Sequence, residues 1–136
     1  MIAVIRIRGL VGTRAKQEST LESLMLRRKY NCILLNAEEL IRVRTVREML
    51  TFGEISDETL KELVVKRGKK NHNPIQNADE IVKGLKAGKT LRELGVQPYF
   101  GLHPPIGGFK RSTKLPYPQG ILGHNKDFEK LIRKML

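Results

Sequence analysis

The 136-residue sequence contains no tryptophan, one cysteine, four phenylalanines and three tyrosines. The lone cysteine, Cys32, excludes an intramolecular disulfide framework and a cysteine-rich zinc site, and it is compatible with a reducing compartment. The scarcity of aromatic residues predicts an aliphatic core and disfavours nucleic-acid binding that depends on aromatic platforms for stacked bases. A hydrophobic fraction of 40% still suffices for a folded core.

Long apolar runs are also missing. The N-terminal apolar residues are interrupted by Arg6 and Arg8, so the hydrophobic stretch of a signal peptide is not formed. No segment approaches the roughly 18 to 20 apolar residues that span a bilayer. We therefore expect a soluble, cytoplasmic protein with no membrane partner.

Catalytic motifs are absent as well. His72, His103 and His124 are isolated from one another and lack the spacing of a zinc site. The sequence has no nucleophile elbow and no P-loop. Cys32 lies in an apolar run, where we expect a buried and unreactive thiol. The sequence thus predicts no metal, no cofactor and no small-molecule substrate.

One enzymatic alternative stays open. The turn at residues 9–14 follows a predicted strand and precedes a predicted helix, so its backbone amides and Arg14 could hold a phosphate. Asn36 could then position a water molecule, as in a small phosphate hydrolase similar to the acylphosphatases. The motif is short, and it explains neither residues 56–136 nor the basic charge of the chain.

Acidic residues are few, with 14 Asp and Glu against 26 Lys and Arg and a formal net charge of +12. The half of the chain at 1–68 carries 13 basic and 9 acidic side chains, whereas the half at 69–136 carries 13 and 5. Segment 94–126 has no acidic residue and is rich in glycine and proline. This excess predicts a polyanionic partner, and the composition favours structured RNA bound through its phosphates and shape.

Basic residues on helices are weaker candidates for RNA contact than those in the acid-free segments. Carboxylates four residues away could neutralise them, and the expected pairs are Glu38 with Arg42, Arg44 with Glu48, and Glu62 with Lys66. No such local partner exists within 94–126, so we expect its cations to be available to RNA.

Hydrophobic periodicity predicts the order βαβαβ for segment 1–55. Strands are expected at 2–8, 32–35 and 51–55, where residues are β-branched or continuously apolar. Helices are expected at 15–28 and 37–50, where apolar residues recur at helical spacing.

The first strand has two distinct faces. Ala3, Ile5 and Ile7 share one face, and Arg6 and Arg8 lie on the other. If both helices pack against the apolar trio, the two arginines face away from them, toward RNA or the rest of the chain.

The sequence of residues 56–136 predicts an extension made mostly of helices and loops. Helices are predicted at 56–68, 78–87 and 128–135, and about one helical turn at 91–94, from caps and apolar spacing. The polar stretch 69–74 is expected to act as a hinge. We therefore expect a core domain, 1–55, and an extension, 56–136, with a basic Gly/Pro-rich loop, 101–125, and a C-terminal helix.

Several segments together resemble the large-subunit ribosomal protein family L-thirty, whose eukaryotic members are called L-seven. The segments are Val4–Gly9, Thr20–Arg28, Thr51–Ile55, Leu63–Gly68, Leu102–Gly108 and Leu131–Met135. The resemblance covers nearly the whole chain, and the length beyond residue 56 is similar to that of archaeal and eukaryotic members rather than the short bacterial ones.

The resemblance implies an α+β fold with a ferredoxin-like βαβαβ core, in which the three strands form an antiparallel sheet. It also implies a structural, non-catalytic constituent of the large ribosomal subunit that binds large-subunit rRNA and 5S rRNA, contacts neighbouring ribosomal proteins and supports assembly and translation. An RNA-binding regulator outside the ribosome is a further alternative, which ribosome fractionation would test.

The candidate RNA-binding residues are the cations of the first strand, the first helix, the hinge and the extension. They are Arg6, Arg8, Arg14, Lys16, Arg27, Arg28, Lys29, Lys66, Arg67, Lys69, Lys70, His103, Lys110, Arg111, Lys114 and His124.

Overall fold

A computed structural model describes residues 1–9 and 11–136 of the chain, which adopts an α+β fold with helices on both faces of one mixed sheet. Leu10, in the turn considered for phosphate binding, lies outside the described residues. The elements are β1 (Ile2–Arg6), α1 (Ala15–Ser23), β2 (Asn31–Leu35), α2 (Leu40–Arg44), β3 (Leu50–Glu54), α3 (Asp57–Arg67), β4 (Lys69–Lys70), β5 (Asn73–Pro74), α4 (Ala78–Lys86), β6 (Phe100–Gly101), β7 (Ser112–Pro116), β8 (Gly120–His124) and α5 (Phe128–Met135). Across these residues, no helix is both long and apolar enough to cross a bilayer.

The three strands of segment 1–55 form the centre of the sheet. The central strand, β1, pairs antiparallel with β2 on one side and with β3 on the other. Val4 lies opposite Ile33 in one neighbour and Phe52 in the other. The predicted βαβαβ order and the antiparallel arrangement are confirmed.

The extension adds strands to both edges of that sheet, giving the order β6-β2-β1-β3-β8-β7. On one edge, Phe100 of β6 lies opposite Cys32. On the other, β8 runs parallel to β3 and brings Gly123 opposite Thr51. Part of the predicted loop 101–125 is therefore strand, because its few apolar residues, such as Ile121 and Leu122, are buried in the sheet.

Each face of the sheet has its own hydrophobic cluster. One contains Val4 and the buried residues of α1 and α2, such as Leu21 and Val43. The other contains Ala3, Ile5 and Ile7 together with α3, α4 and α5. The predicted alternation along β1 is confirmed. The core helices pack on the Val4 face, so the condition that they pack against Ala3, Ile5 and Ile7 is not met.

Both core helices are shorter than their apolar spacing predicted. Helix α1 ends at Ser23 rather than Arg28, because the chain turns through a left-handed conformation at Met25, where φ is 63°. The expected helix 37–50 is divided into two 3₁₀ turns, Ala37–Glu39 and Arg47–Met49, on either side of α2. Cations expected on regular helices consequently lie in turns.

The start of α3 and the end of α4 follow their sequence signals. Ser56 caps α3, its hydroxyl accepting a hydrogen bond of 3.4 Å from the Thr59 N–H. Gly88, which follows α4, has a φ of +89° that favours glycine. The single turn predicted at 91–94 is present together with its capping box, in which the Thr90 N–H donates to Glu93 at 3.0 Å.

Gly68 ends α3 for a different reason from the one expected of a helix-terminal glycine. Its φ is −66°, an ordinary value for any residue. A Cβ atom there would overlap the carbonyl oxygen of Val64 and lie 2.5 Å from Cδ1 of Ile75. The glycine therefore permits a close approach of the hinge to α3.

Helix α5 packs closely on β3. A Cβ at Gly53 would lie 2.6 Å from Cβ of Phe128, so the glycine permits the approach of the helix. The hydroxyls of Ser56 and Thr59 donate to the Glu129 carboxylate, the latter over 2.5 Å. These contacts fix the C-terminal helix against both the sheet and α3.

Candidate nucleic-acid interface

A group of cations surrounds a cavity at one end of the sheet. An open cleft of about 850 Å³ lies there between the core and the β7–β8 segment. It is lined by Arg8, Arg44, Arg47, Glu48, Phe52, Lys114, Pro116, Tyr117, Leu122, Gly123 and His124. We call it the cationic cleft.

The cations reach the cleft from separate parts of the fold. Arg8 follows the central strand, Arg44 ends α2, and Arg47 lies in the 3₁₀ turn before β3. Lys114 belongs to β7, and His124 ends β8, the strand parallel to β3. The parallel pairing of β8 with β3 therefore brings the extension beside the arginines of the core.

The cations of the cleft are not neutralised by ion pairs. Among residues 1–9 and 11–136, no carboxylate lies within 4.0 Å of Arg8, Arg44, Arg47 or Lys114. All four side chains are exposed. Glu48 lines the cleft without pairing with Arg44, so this expected ion pair is not formed. The cleft is thus suited to a polyanion.

Sequence reasoning found part of this cleft and missed the rest. It named Arg8, Lys114 and His124, which the fold brings together although they are far apart in the chain. It set aside Arg44 and Arg47 as cations of a continuous helix. The expected pairs Glu38–Arg42 and Glu62–Lys66 are also not among the ion pairs of the described residues. No signal in the sequence indicated the break between α2 and the following 3₁₀ turn.

A second, smaller pocket of about 250 Å³ lies beside α5 and is also lined by cations. Lys110 and Arg111, both predicted, meet Lys130 and Lys134 of α5, which are not among the predicted RNA-binding residues. One carboxylate, that of Asp127, lies 3.5 Å from the Arg111 guanidinium. The pocket keeps a positive excess.

The cations of the first helix lie outside both cavities. Arg14 and Lys16 are exposed at the start of α1. The exposed cluster 27–29 lies in the loop before β2, where Nζ of Lys29 is 5.1 Å from the centre of the Tyr30 ring. These residues form two further basic surfaces, one at the start of α1 and one in the loop that follows it.

The hinge carries another basic group. Lys66, Lys69 and Lys70 are exposed at the end of α3 and in the two-stranded hairpin β4–β5. Arg67 is half-buried, and its Nε has no hydrogen-bond partner within the described residues. His103 is exposed, and its backbone N–H donates to the Met135 carbonyl at 3.1 Å.

Arg6 has a structural role, and the expectation that it faces RNA was wrong. Its side chain is 1% exposed, in spite of its charge. The guanidinium donates to the carbonyl oxygens of Leu26 at 2.8 Å and Arg8 at 2.9 Å, and more weakly to those of Gly9 and Arg27. Burial lowers the pKa of Arg6. The arginine closes the loop after α1 onto the end of β1.

Cys32 is buried, as predicted. Burial raises the pKa of its thiol to about 12, so the thiolate needed for reaction is scarce at neutral pH. Among the described residues, no three His, Cys, Asp or Glu side chains gather where they could hold a metal ion.

The fold and the cleft together define a class: a small basic α+β protein with a surface suited to polyanions. Comparison with known proteins narrows this class. Residues 2–50 match the family model described as ribosomal protein L30p/L7e.

Curated relatives extend the match over the whole chain. The chain is 34% identical over 154 residues to large ribosomal subunit protein uL30 of Korarchaeum cryptofilum, covering 100% of this chain and 95% of that one. It is 37% identical over 157 residues to the protein of the same name from Aeropyrum pernix, covering 100% and 99%. For the Archaeoglobus fulgidus protein the identity is 33% over 152 residues, with 99% of each chain covered.

The chain belongs to the uL30 family of large ribosomal subunit proteins. It is therefore a structural ribosomal protein and not an enzyme, which decides against the phosphate hydrolase. Membership in this family locates it in the cytoplasm with the large subunit.

Proposed function

We propose that the chain binds large-subunit rRNA, including 5S rRNA, and in this way supports subunit assembly and translation. The cationic cleft carries this proposal, because it gathers exposed cations from both halves of the chain without a paired carboxylate. Such cations release counterions from a phosphate backbone on binding, which is the main source of affinity for nucleic acids.

The other basic surfaces extend the proposed contact to several RNA segments. The proposed contacts are Arg8, Arg14, Lys16, Arg27, Arg28, Lys29, Arg44, Arg47, Lys66, Arg67, Lys69, Lys70, His103, Lys110, Arg111, Lys114 and His124. They lie at both ends of α1, at the hinge and around both cavities, so one RNA helix cannot cover them all. Neighbouring ribosomal proteins are the proposed partners of the surface between them.

The salt dependence of RNA binding tests the contribution of the extension. We expect the triple variant Lys110→Ala, Lys114→Ala and Arg111→Ala to bind large-subunit rRNA fragments more weakly. The slope of log affinity against log salt should flatten by about two to three units, if each side chain contacts a phosphate. The lower figure of two units applies because the Arg111 guanidinium lies 3.5 Å from the Asp127 carboxylate, which partly neutralises its charge.

A control removes three charges that lie close to carboxylates. Lys61 and Lys86 pair with Asp79 and Asp57 at 2.7 and 2.9 Å, and the charge of Lys83 helps to lower the pKa of Asp79. Replacing these three lysines by alanine should change the slope by less than that of the first triple variant, because their charges are already partly neutralised. An unchanged slope in the first triple variant would exclude its loop from the RNA interface.

Cell fractionation tests the ribosomal assignment itself. We expect the chain to sediment with large subunits in a sucrose gradient, at one copy per subunit. A chain found mainly in the unassembled fractions, while ribosomes are abundant, would instead support the regulator outside the ribosome.

A further inference from the structure

The cationic cleft combines positive charge with aromatic rings, although the chain has only seven Phe and Tyr residues and no Trp. Phe52, Tyr117 and the imidazole of His124 all line it. Aromatic rings stack on bases, and cations bind phosphates. A site that has both can therefore bind the base and the phosphate of one nucleotide, whereas lysines alone bind only phosphates.

The three rings are held in place by contacts within the protein. Phe52 and His124 meet edge to face, with centroids 5.7 Å apart. The Arg111 guanidinium lies 5.1 Å from the centre of the Tyr117 ring. Arg111 does not itself line the cleft, whereas Tyr117 does and is half-buried there. We expect the part of the Tyr117 ring that lines the cleft to meet a planar ligand.

The size and shape of the cleft set a limit on what enters it. Its volume of about 850 Å³ falls within the range of pockets that accept small organic ligands, so the cleft has room for a single nucleotide. A continuous A-form duplex presents phosphates on its outside but keeps its bases stacked and paired. Phosphate and base can reach one cleft together only where a nucleotide is unpaired.

We propose that the cationic cleft binds an unpaired nucleotide of RNA, such as a bulged one, with its phosphate on Arg44 and Arg47 and its base against Tyr117. Phe52 and His124 form the wall next to the base. This inference rests on the proposed RNA binding and adds to it the kind of RNA feature that the cleft selects.

Three hairpin RNAs of equal length separate this inference from general RNA binding. The first is fully paired, the second carries a single bulged uridine, and the third has an abasic residue at the bulge. We expect the full-length chain to bind the bulged RNA about tenfold more tightly than the paired one, because one stacked base contributes on that order. The abasic RNA should bind as weakly as the paired one.

Tyr117→Leu should abolish the preference for the bulge, so that the ratio of the affinities for the bulged and paired hairpins falls from about ten to about one. Tyr99→Leu is the matched control, because Tyr99 is an exposed tyrosine that does not line the cleft. Photo-crosslinking with 5-iodouridine at the bulge should label Tyr117, Phe52 or His124, and mass spectrometry would locate the label.

The outcomes distinguish the two proposals. Equal affinity for the bulged and paired hairpins, or for the bulged and abasic ones, would overturn the nucleotide site while leaving RNA binding intact. Failure of the chain to bind any of the three RNAs at low salt would overturn RNA binding by the cleft, and the nucleotide site with it.

Discussion

The two faces of the central sheet are covered by different parts of the chain. Every buried residue of the cluster around Val4 comes from segment 1–55. The opposite cluster takes Ala3, Ile5, Ile7 and Cys32 from that segment, and the rest of its buried side chains from 56–136. The first region thus completes a hydrophobic cluster alone, whereas the extension completes its cluster only on the sheet.

The difference supports the proposed division into a core, 1–55, and an extension, 56–136. It leads us to predict that α3, α4 and α5 separate from the sheet while the core retains the packing of α1 and α2. In a large subunit, the extension would then be the part whose docking is coupled to assembly.

The two regions also differ in the chemistry of their charge. Residues 1–55 contain eight arginines and two lysines, whereas residues 56–136 contain four arginines and twelve lysines. Arginine binds phosphate with a planar, bidentate group, and lysine acts as a mobile point charge. The core accordingly provides all the arginines of the cleft, and the extension provides Lys114.

Among the substitutions that test the difference between core and extension, Phe128→Ala should have the largest effect on stability. Phe128 is 1% exposed and packs over Gly53 at the centre of the extension's contact with the sheet. The cavity should lower the free energy of unfolding by about 3–5 kcal/mol. Chemical denaturation would measure the loss.

The thiol of Cys32 reports which face opens, because it belongs to the cluster under the extension. In the Phe128→Ala variant, reaction with a thiol reagent should accelerate at denaturant concentrations that leave the core folded. Leu21→Ala on the opposite face is the control. Equal acceleration in both variants at equal stability would show that core and extension unfold as one unit.

The elements with a strong local signal could be predicted from sequence. The first strand, predicted at 2–8 and observed at 2–6, the cap at Ser56 and α3 up to Gly68 were all predicted in this way. The assignment of helices to the faces of β1 could not be predicted, because both faces are apolar enough to be buried: Val4 on one side and Ile5 on the other are each 0% exposed.

The candidate site was harder to predict than the fold. Arg8, Arg44 and Lys114 line one cleft only because β8 pairs with β3, a contact between strands far apart in the chain that no local pattern encodes. Arg6 and Arg8 look alike in the sequence, yet one is buried and the other exposed. Charge counts identified the partner class, and the tertiary structure selected the residues.

These two arginines give the next prediction. Arg6→Ala should lower the free energy of unfolding by about 1–3 kcal/mol, because the carbonyl oxygens of Leu26 and Arg8 lose their buried donor. Arg8→Ala should change stability by no more than about 0.5 kcal/mol, as expected for an exposed site.

For RNA affinity the ranking of the two substitutions should be reversed, with Arg8→Ala having the larger effect. Arg8→Ala should weaken binding and flatten its salt dependence by about one unit, since one phosphate contact is removed. Arg6→Ala should leave the slope unchanged under conditions where the variant is folded. A flattened slope for folded Arg6→Ala would mean that the buried guanidinium reaches RNA after all.

The smallest expected effect is on the pH dependence of the contact between α5 and α3. Hydrogen bonds from Ser56 and Thr59, aided by the charge of Arg133, lower the pKa of Glu129 in the folded chain. The unfolded chain therefore takes up this proton first as the pH falls. The stabilisation by Glu129 is complete above its unfolded pKa, roughly 4.3, and is lost as the pH falls through the lower folded value.

Glu129→Gln should accordingly destabilise the chain at neutral pH and converge with the unsubstituted chain in acid. Thermal unfolding between pH 2 and 7 would measure this convergence. Asp79→Asn is the control, because Lys61 lowers the pKa of Asp79 at an exposed site that joins α3 to α4. Only Glu129→Gln should also raise the reactivity of Cys32, since Glu129 connects α5 to Ser56 and Thr59, whereas Asp79 pairs with Lys61. Equal reactivity in both variants would place the stabilising role of Glu129 elsewhere.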